Sequence, residues 1–273
     1  MLPTLADSLR RHVQALAASE RNADLETPAR YIERELGPGF RRHEYRSAGR
    51  AVRNVEIGEG PVVVGAHYDT VPGSPGADDN ASGVAALIEL SRIAPAGQIR
   101  FVAFANEELP YSHGEEMGSF VYAKRSRERG ERITAMFSLE MLGCYSDAPR
   151  SQRYPPVIGW FYPERADFIA FVGDLGAWRL VRRAHRLFRK HSDFPSQSLA
   201  APAFVPGITR SDHWSFRRHG FPALMVTDTA FNRYPHYHLP TDTPEKLDYE
   251  RMARVTLGLA GMLRELATGH HHR

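Results

Sequence analysis

Leu5, Leu9, Val13 and Leu16 recur at helical spacing with Arg and Gln between them, which predicts an amphipathic helix near the N-terminus. Thr27-Pro28 ahead of Tyr31, Ile32 and Leu36 predicts a second helix, with Thr27 as its N-cap and Pro28 in its first turn. Gly37-Pro38-Gly39 stops it. Residues 40–46 and 51–57 read as strands. The run 62–67 is a third, wholly apolar until it ends abruptly in His67-Tyr68-Asp69. A helix over 82–93, a buried strand over 99–105, a helix over 117–129 and a strand over 133–139 follow. Strand and helix alternating at this spacing predict an α/β fold with a largely parallel central sheet.

The stretch from 145 to 210 is less regular. It holds a strand-like Phe168-Ile-Ala-Phe-Val172, a helix over 177–191 and a Pro/Ala/Ser loop over 194–206. An insertion of this kind beside a site usually shapes substrate access. A strand over 221–227 and a closing amphipathic helix over 249–268 complete the chain. With no internal repeat and no long linker, residues 1–273 read as a single domain.

Ligands of such sheets gather outside the carboxyl ends of the strands. Three successive strands here end in His67-x-Asp69, Glu107-Glu108 and Glu140, and an acidic pair, Asp78-Asp79, precedes a helix. Imidazole is a good zinc ligand, and a carboxylate two residues on suits its second ring nitrogen. Two metals about 3.5–4 Å apart need a bridging ligand and separate terminal ligands. The chain supplies His67, one of Asp78 and Asp79, Glu108, Glu140, and one of His236 and His238. Glu107 is placed to deprotonate a bridging water.

Taken singly, each of these residues has a plainer reading. His67 serves as a hydrogen-bonded structural residue, Asp78-Asp79 as a helix cap and dipole complement, Glu107-Glu108 as a solvated loop, and the two histidines as loop decoration. Glu140 resists such a reading, because a charge inside Phe-Ser-Leu-Glu-Met-Leu is costly unless paired. Joint placement at alternating strand tips is what argues for a site.

Composition narrows the class only a little. Lys and Arg number 35 against 32 Asp and Glu, a net charge of +3. The arginines and lysine at 182, 183, 186, 189 and 190 are scattered through a helix rather than interleaved with aromatics, so no nucleic-acid partner is expected. Cys144 is the single cysteine, which excludes an intrachain disulfide and fits a cytoplasmic location. The first ten residues lack a continuous apolar core of the secretory kind, and no stretch is long and apolar enough for a bilayer, so no membrane partner is expected. The terminal His270-His-His-Arg273 is set aside as a frayed tail.

Six pieces of the chain carry a resemblance. They are Gly65-Ala-His67-Tyr-Asp69, Pro75-Gly-Ala-Asp-Asp79-Asn-Ala-Ser-Gly83, Ala105-Asn-Glu107-Glu108, Ser138-Leu-Glu140-Met, Ser211-Asp-His213, and Tyr237-His238-x-Pro-Thr-Asp-Thr-Pro-Glu-Lys-Leu-Asp248. In this order, from residue 65 to 248, they resemble the di-zinc aminopeptidases of metallopeptidase family 28, the aminopeptidase S/aminopeptidase Y type, whose fold is shared with glutaminyl cyclases. The resemblance implies a zinc-exopeptidase-like three-layer α/β/α sandwich around a mixed, mostly parallel central sheet. It implies two zinc ions, with His67 and Glu140 as terminal ligands on different ions, Asp79 as the bridge, and Glu108 and His238 as the remaining ligands. Glu107 would be the general base, Asp69 the partner of His67, and Tyr237 a group that binds the polarised carbonyl oxygen. A non-proline cis peptide is expected at Asp79-Asn80, and Asp212-His213 near the site.

Two departures stand out. Relatives usually carry Asp where this chain has Glu140, one methylene longer in reach. Several secreted relatives also brace the substrate region with a disulfide, which one cysteine cannot form. The expected reaction is release of N-terminal residues from peptides with a free amino terminus, by a bridging water activated between two zincs and deprotonated by Glu107. The rivals are a single-zinc glutaminyl cyclase and a non-catalytic scaffold domain of the same fold. Oligomeric state is not legible in the sequence.

Overall fold

The computed structural model describes residues 2–94, 97–155 and 158–268, so the expectation for His270–Arg273 lies outside the described residues. Helices α1 (Leu2–Leu16) and α2 (Glu26–Leu36) lead into strands β1 (Arg41–Ser47), β2 (Arg50–Gly58) and β3 (Val62–His67). Then come α3 (Gly83–Ile93), β4 (Ile99–Phe104), α4 (Gly118–Glu128), β5 (Ala135–Glu140), β6 (Ile169–Asp174), α5 (Trp178–His191), β7 (Ser196–Ala201), α6 (His213–Arg218), β8 (Ala223–Thr227) and α7 (Tyr249–Thr268). The eight strands form one sheet in the order β1-β2-β4-β3-β5-β8-β6-β7. The central β4-β3-β5-β8 are mutually parallel, β6 runs antiparallel to β8, and β1-β2 join β4 antiparallel. The expected α/β fold with a mixed sheet holds.

Alternation along β3 and β5 sorts the core into two layers, because successive side chains point to opposite faces. Val62, Val64 and Ala66 with Phe137 and Leu139 pack under α1, α3, α5 and α7. Val63 and Met136 pack on the other face with Val102, Tyr122 and Phe216, beneath α4 and α6. Glu140 shares the Met136 face by the same period. Both strands are buried along their whole length, which accounts for their unbroken apolar sequence.

Two expectations need correction, and one short helix went unannounced. Asp24, not Thr27, caps α2: its carboxylate accepts from the Glu26 and Thr27 amides at 2.9 and 3.2 Å. Thr27 spends its hydroxyl on the same carboxylate at 2.5 Å, so the capping group sits one turn earlier than the Thr-Pro signal placed it. The 194–206 stretch is not all loop, since it contains β7, parallel to β6. Its Ser-Gln-Ser-Leu-Ala-Ala is polar because it is the edge strand, half-exposed along most of its length. The short helix α6 follows Ser211-Asp212 and had no apolar period long enough to announce it.

Candidate metal centre

The parallel strands β3, β4 and β5 end side by side, and their tips carry the chemistry. His67 is the last residue of β3 and Glu140 the last of β5. Asp79 lies in the irregular turn Ala77–Ser82 ahead of α3 and is joined to Asn80 by a cis peptide. Past the end of β4, Asn106 takes a left-handed conformation (φ 58°), which asparagine tolerates better than most residues. The chain turns there, and Glu107 and Glu108 both come to the site.

Two groups of potential ligands share one residue. His67, Asp79 and Glu140 bring their ligand atoms within 4.8 Å of one another, and Asp79, Glu108 and His238 do the same. His67 and Glu140 therefore fall in one group, which corrects the expectation of terminal ligands on different ions, because the tips of β3 and β5 bring the two side chains to 3.5 Å. His67 Nε2 stands 3.3 Å from Asp79 Oδ1 and 3.5 Å from Glu140 Oε1. His238 Nε2 stands 3.0 Å from Asp79 Oδ2 and 3.2 Å from Glu108 Oε1. These are ion-pair distances without hydrogen-bond direction: His67 Nε2, His238 Nε2 and Asp79 Oδ1 are buried and lack any hydrogen-bond partner. Buried polar atoms are rarely left so. Ligands about 2.0–2.1 Å from a tetrahedral zinc stand roughly 3.3 Å apart, the separation found here, so this donor set fits two metal ions bridged by Asp79.

Placement separates the two members of each pair. Asp78 turns away, its Oδ1 accepting from the Gly143 amide at 2.8 Å. His236 bonds Thr241 Oγ1 at 2.9 Å and belongs to neither group.

Several supporting contacts had no sequence signal. Asp69 lies 3.6 Å from His67 Nδ1, but its carboxylate also accepts from the Glu107 and Glu108 amides, both at 3.0 Å. One side chain thus fixes the strand-tip turn that presents the two glutamates. Asp242 does the same for the other loop, accepting from the Asp78 and Asp79 amides at 2.9 and 3.1 Å. Asn80 donates to Leu139 O at 2.8 Å and accepts from the Met141 amide at 3.1 Å, fastening the loop to β5. Ser211 Oγ donates to Glu140 Oε2 at 2.6 Å. Asp212 is fully buried with both carboxylate oxygens unpartnered, and His213 bonds Ile208 O at 2.7 Å. Arg21, buried behind the site, donates to Tyr68 O, Leu16 O, Pro75 O and Gly76 O. It joins the segment after His67 to the loop before Asp79. Tyr237 stacks on the His238 ring with centroids 3.8 Å apart.

Charge is crowded here. Burial opposes a charged His67, but Glu140 with Asp69 and Asp79 outweighs it and lifts the imidazole well above its ordinary value. Burial likewise opposes a charged His238, yet Asp79 and Glu108 raise it to about 10. Burial pushes Glu107 well above the carboxylate range, with Glu108 and Glu140 adding to the rise. Burial and then Asp79 raise Glu108 from 4.5 to about 7, and burial raises Asp212 from 3.8 to about 7.

A group whose folded pKa is raised keeps a proton that the unfolded chain has released, so folding stability falls as pH rises between the two values. For Glu108 and Asp212 that window runs from about 4 to 7. The metal-stripped protein should therefore lose melting temperature from pH 5 to pH 7, whereas two bound cations should flatten or reverse the slope. Calorimetric scans with and without chelator check this, and a rising slope in the stripped protein would refute it.

Beside Glu140 and Tyr237 opens a cavity of about 100 Å³. Its walls are Ala170 and Val172 of β6, with Phe168, Leu199, Ile208 and Met225. Most of this lining belongs to the 145–210 stretch.

Comparison with known proteins places the chain. The profile of peptidase family M28 matches residues 51–263. The uncharacterized protein YfbL of Escherichia coli (strain K12) is 42% identical over 233 residues, which cover 79% of this chain and 71% of YfbL. A probable leucine aminopeptidase of Arthroderma benhamiae is 30% identical over 217 residues, 73% of this chain and 53% of that protein. The chain thus spans about half the length of this fungal relative. Among solved structures, BSAP, a zinc aminopeptidase from Bacillus subtilis, is 26% identical with a TM-score of 0.60, over 83% of this chain and 53% of BSAP. The LapA aminopeptidase of Legionella pneumophila (19% identity, TM-score 0.73, 97% of this chain and 73% of LapA) shares the fold. So does the glutaminyl cyclase of Fimbriiglobus ruber (20%, 0.66, 95% and 94%).

Proposed function

Because the chain belongs to peptidase family M28, we propose that it is a two-zinc aminopeptidase releasing apolar N-terminal residues from peptides. The observation that carries this reading is the pair of ligand groups sharing Asp79, with an apolar cavity adjoining them. His67 and Glu140 would hold one ion, Glu108 and His238 the other, and Asp79 would be shared by both. When bound, two zinc ions supply Lewis acidity toward the scissile carbonyl and a water of lowered pKa.

The chain's own groups do the rest. Glu107 stands outside both ligand groups, and no donor among the described residues engages its carboxylate, so it takes the proton of the attacking water and returns it to the leaving amine. Asp69 holds Glu107 and Glu108 by their amides, and its main-chain carbonyl, 3.3 Å from His67 Nδ1, orients that ring with the carboxylate 3.6 Å away. Tyr237, fixed by its stack on His238, presents its hydroxyl toward the carbonyl oxygen. The carboxylates around Glu107 hold the substrate's α-ammonium group. Residues 1–273 act as one peptidase domain on this reading, with 145–210 shaping the substrate pocket. A cytoplasmic setting fits the single cysteine.

Cavity size sets the preference. An apolar cavity of about 150 Å³ takes benzene, and this one offers about 100 Å³. A branched aliphatic side chain such as leucine fits better than an indole. Ala170→Phe should fill it, lowering kcat/KM for a leucyl anilide by about 10- to 100-fold and for an alanyl anilide much less. Equal losses on both would remove the cavity from the specificity argument.

The test of the whole reading is hydrolysis of Leu-p-nitroanilide by the zinc-loaded protein, alongside metal analysis and cyclisation of a Gln-peptide. Two zincs and hydrolysis are expected. One zinc with cyclisation would assign the glutaminyl cyclase activity instead, and failure to take up metal would leave the scaffold reading.

A further inference from the structure

Helix α5 buries Val181, Ala184, Leu187 and Phe188 against the sheet. Its opposite side exposes Arg179, Arg182, Arg183, Arg186, Arg189 and Lys190, and the helix contains no acidic residue. Lys190 pairs with Glu265 at 2.9 Å. The five arginines have no ion pair or hydrogen bond among the described residues. Removing them from a net charge of +3 leaves −2, so this one face outweighs the charge of the entire chain. Like charges at i,i+3 and i,i+4 weaken a helix, and solvated faces ordinarily mix signs. A face that keeps five unpaired guanidinium groups is built to meet a polyanion.

Apolar side chains flank it. Trp160 and Phe161 are 81% and 78% exposed on the turn Ile158–Phe161. That turn is tied to edge strand β7 by Tyr162, whose hydroxyl donates to Ser198 O at 2.8 Å. Ser198 also lines the groove beneath the arginines, so the aromatic turn and the basic groove share a border. Leu175, 54% exposed, precedes α5.

The aromatics decide between polyanions. Single-stranded nucleic acid is bound by stacking bases on open aromatic faces inside a basic groove. The one tryptophan in this groove, Trp178, already carries Arg179 and Arg182 over its ring, at 5.4 and 5.6 Å. Trp160 and Phe161 do not line the groove but stand exposed on the turn at its border, and exposed rings at such a rim suit the headgroup level of a bilayer.

We propose that the α5 face docks the protein peripherally on an anionic lipid surface, with the arginines at the phosphates and Trp160 and Phe161 in the headgroup boundary. No helix among the described residues is long and apolar enough to cross a membrane, and peripheral docking needs none. The expectation of no membrane partner rested on spanning segments alone. The expectation of scattered basic residues is corrected by the helix geometry, which gathers them on one side.

The test is co-sedimentation of the full chain with phosphatidylcholine vesicles containing about 30 mol% phosphatidylglycerol, against pure phosphatidylcholine vesicles. Binding to the anionic vesicles only, reversed by salt, is expected. The triple variant R183E/R186E/R189E should bind on the order of a hundredfold more weakly, and Trp160→Ala with Phe161→Ala should bind measurably more weakly, both keeping the wild-type circular dichroism spectrum and melting transition as the control for folding. No binding to anionic vesicles, binding unchanged in the folded triple variant, or displacement from vesicles by single-stranded oligonucleotide at lower concentration than by phosphatidylglycerol would each overturn the proposal. Because vesicle binding is read without turnover, it stands or falls separately from the aminopeptidase reading.

Discussion

Glu107→Gln should fold, take up metal as the wild type does, and turn over about 10²- to 10⁴-fold more slowly, the range that a positioned general base contributes. The substitution keeps volume and planarity and removes only the ability to accept a proton. Glu107 belongs to neither ligand group, so metal content should not move. Its backbone amide still donates to Asp69, so the turn that presents Glu108 should persist. The loss should fall on kcat with little change in KM, because the base acts in the transition state rather than in binding. Burial and the neighbouring Glu108 and Glu140 push the Glu107 carboxyl upward, while a charged His67 pulls the other way. A base must be ionised to accept a proton, so the acid limb of the wild-type pH profile should belong to Glu107 and be absent from the residual activity of the variant. Metal analysis, kcat and a pH profile check these points together. Near-normal turnover by a fully loaded variant would remove Glu107 from the role of base.

The fold and the site were legible to different depths. Strand tips announced themselves because an apolar run ending in a charge has few tertiary solutions: His67, Glu107, Glu108 and Glu140 follow from buried strands in a parallel sheet. Period and burial could not choose between Asp78 and Asp79, because the turn that carries them is irregular, and both aspartates are fully buried. The choice is made by backbone contacts from distant segments, Asp242 and Gly143. Arg21 illustrates the same limit. It reads as one more surface arginine, yet it is 2% exposed and bonded to four carbonyls that only the folded chain brings together. Edge strand β7 was hidden for the opposite reason, since a half-exposed edge has no need of an apolar run. The arginines of α5 look scattered when written in a line, and become a single charged face only at 3.6 residues per turn.

Asp79→Asn should abolish binding of both metals, in contrast to variants of any other ligand. Asp79 is the one residue common to the two ligand groups. Its Oδ1 lies 3.3 Å from His67 Nε2 and its Oδ2 3.0 Å from His238 Nε2, so each oxygen serves a different side. Asparagine offers one carbonyl oxygen and one amide nitrogen, which cannot ligate through its donor hydrogens. It also removes the negative charge that, with His67 and His238 opposite, is held below the ordinary carboxylate range despite burial. The two imidazoles, raised by that same charge, then lose the partner that pays their burial. Glu140→Gln should weaken mainly the His67 ion and His238→Ala mainly the other, leaving a single metal in each. The backbone amide of Asp79 still reaches Asp242 in the asparagine variant, so the loop itself should survive. Peptidase activity should fall to background in Asp79→Asn, and metal analysis should find stoichiometry near zero against near one for the terminal-ligand variants. If Asp79→Asn kept both metals, the bridge would have to be another group, and the shared geometry at Asp79 would be a consequence of crowding rather than of coordination.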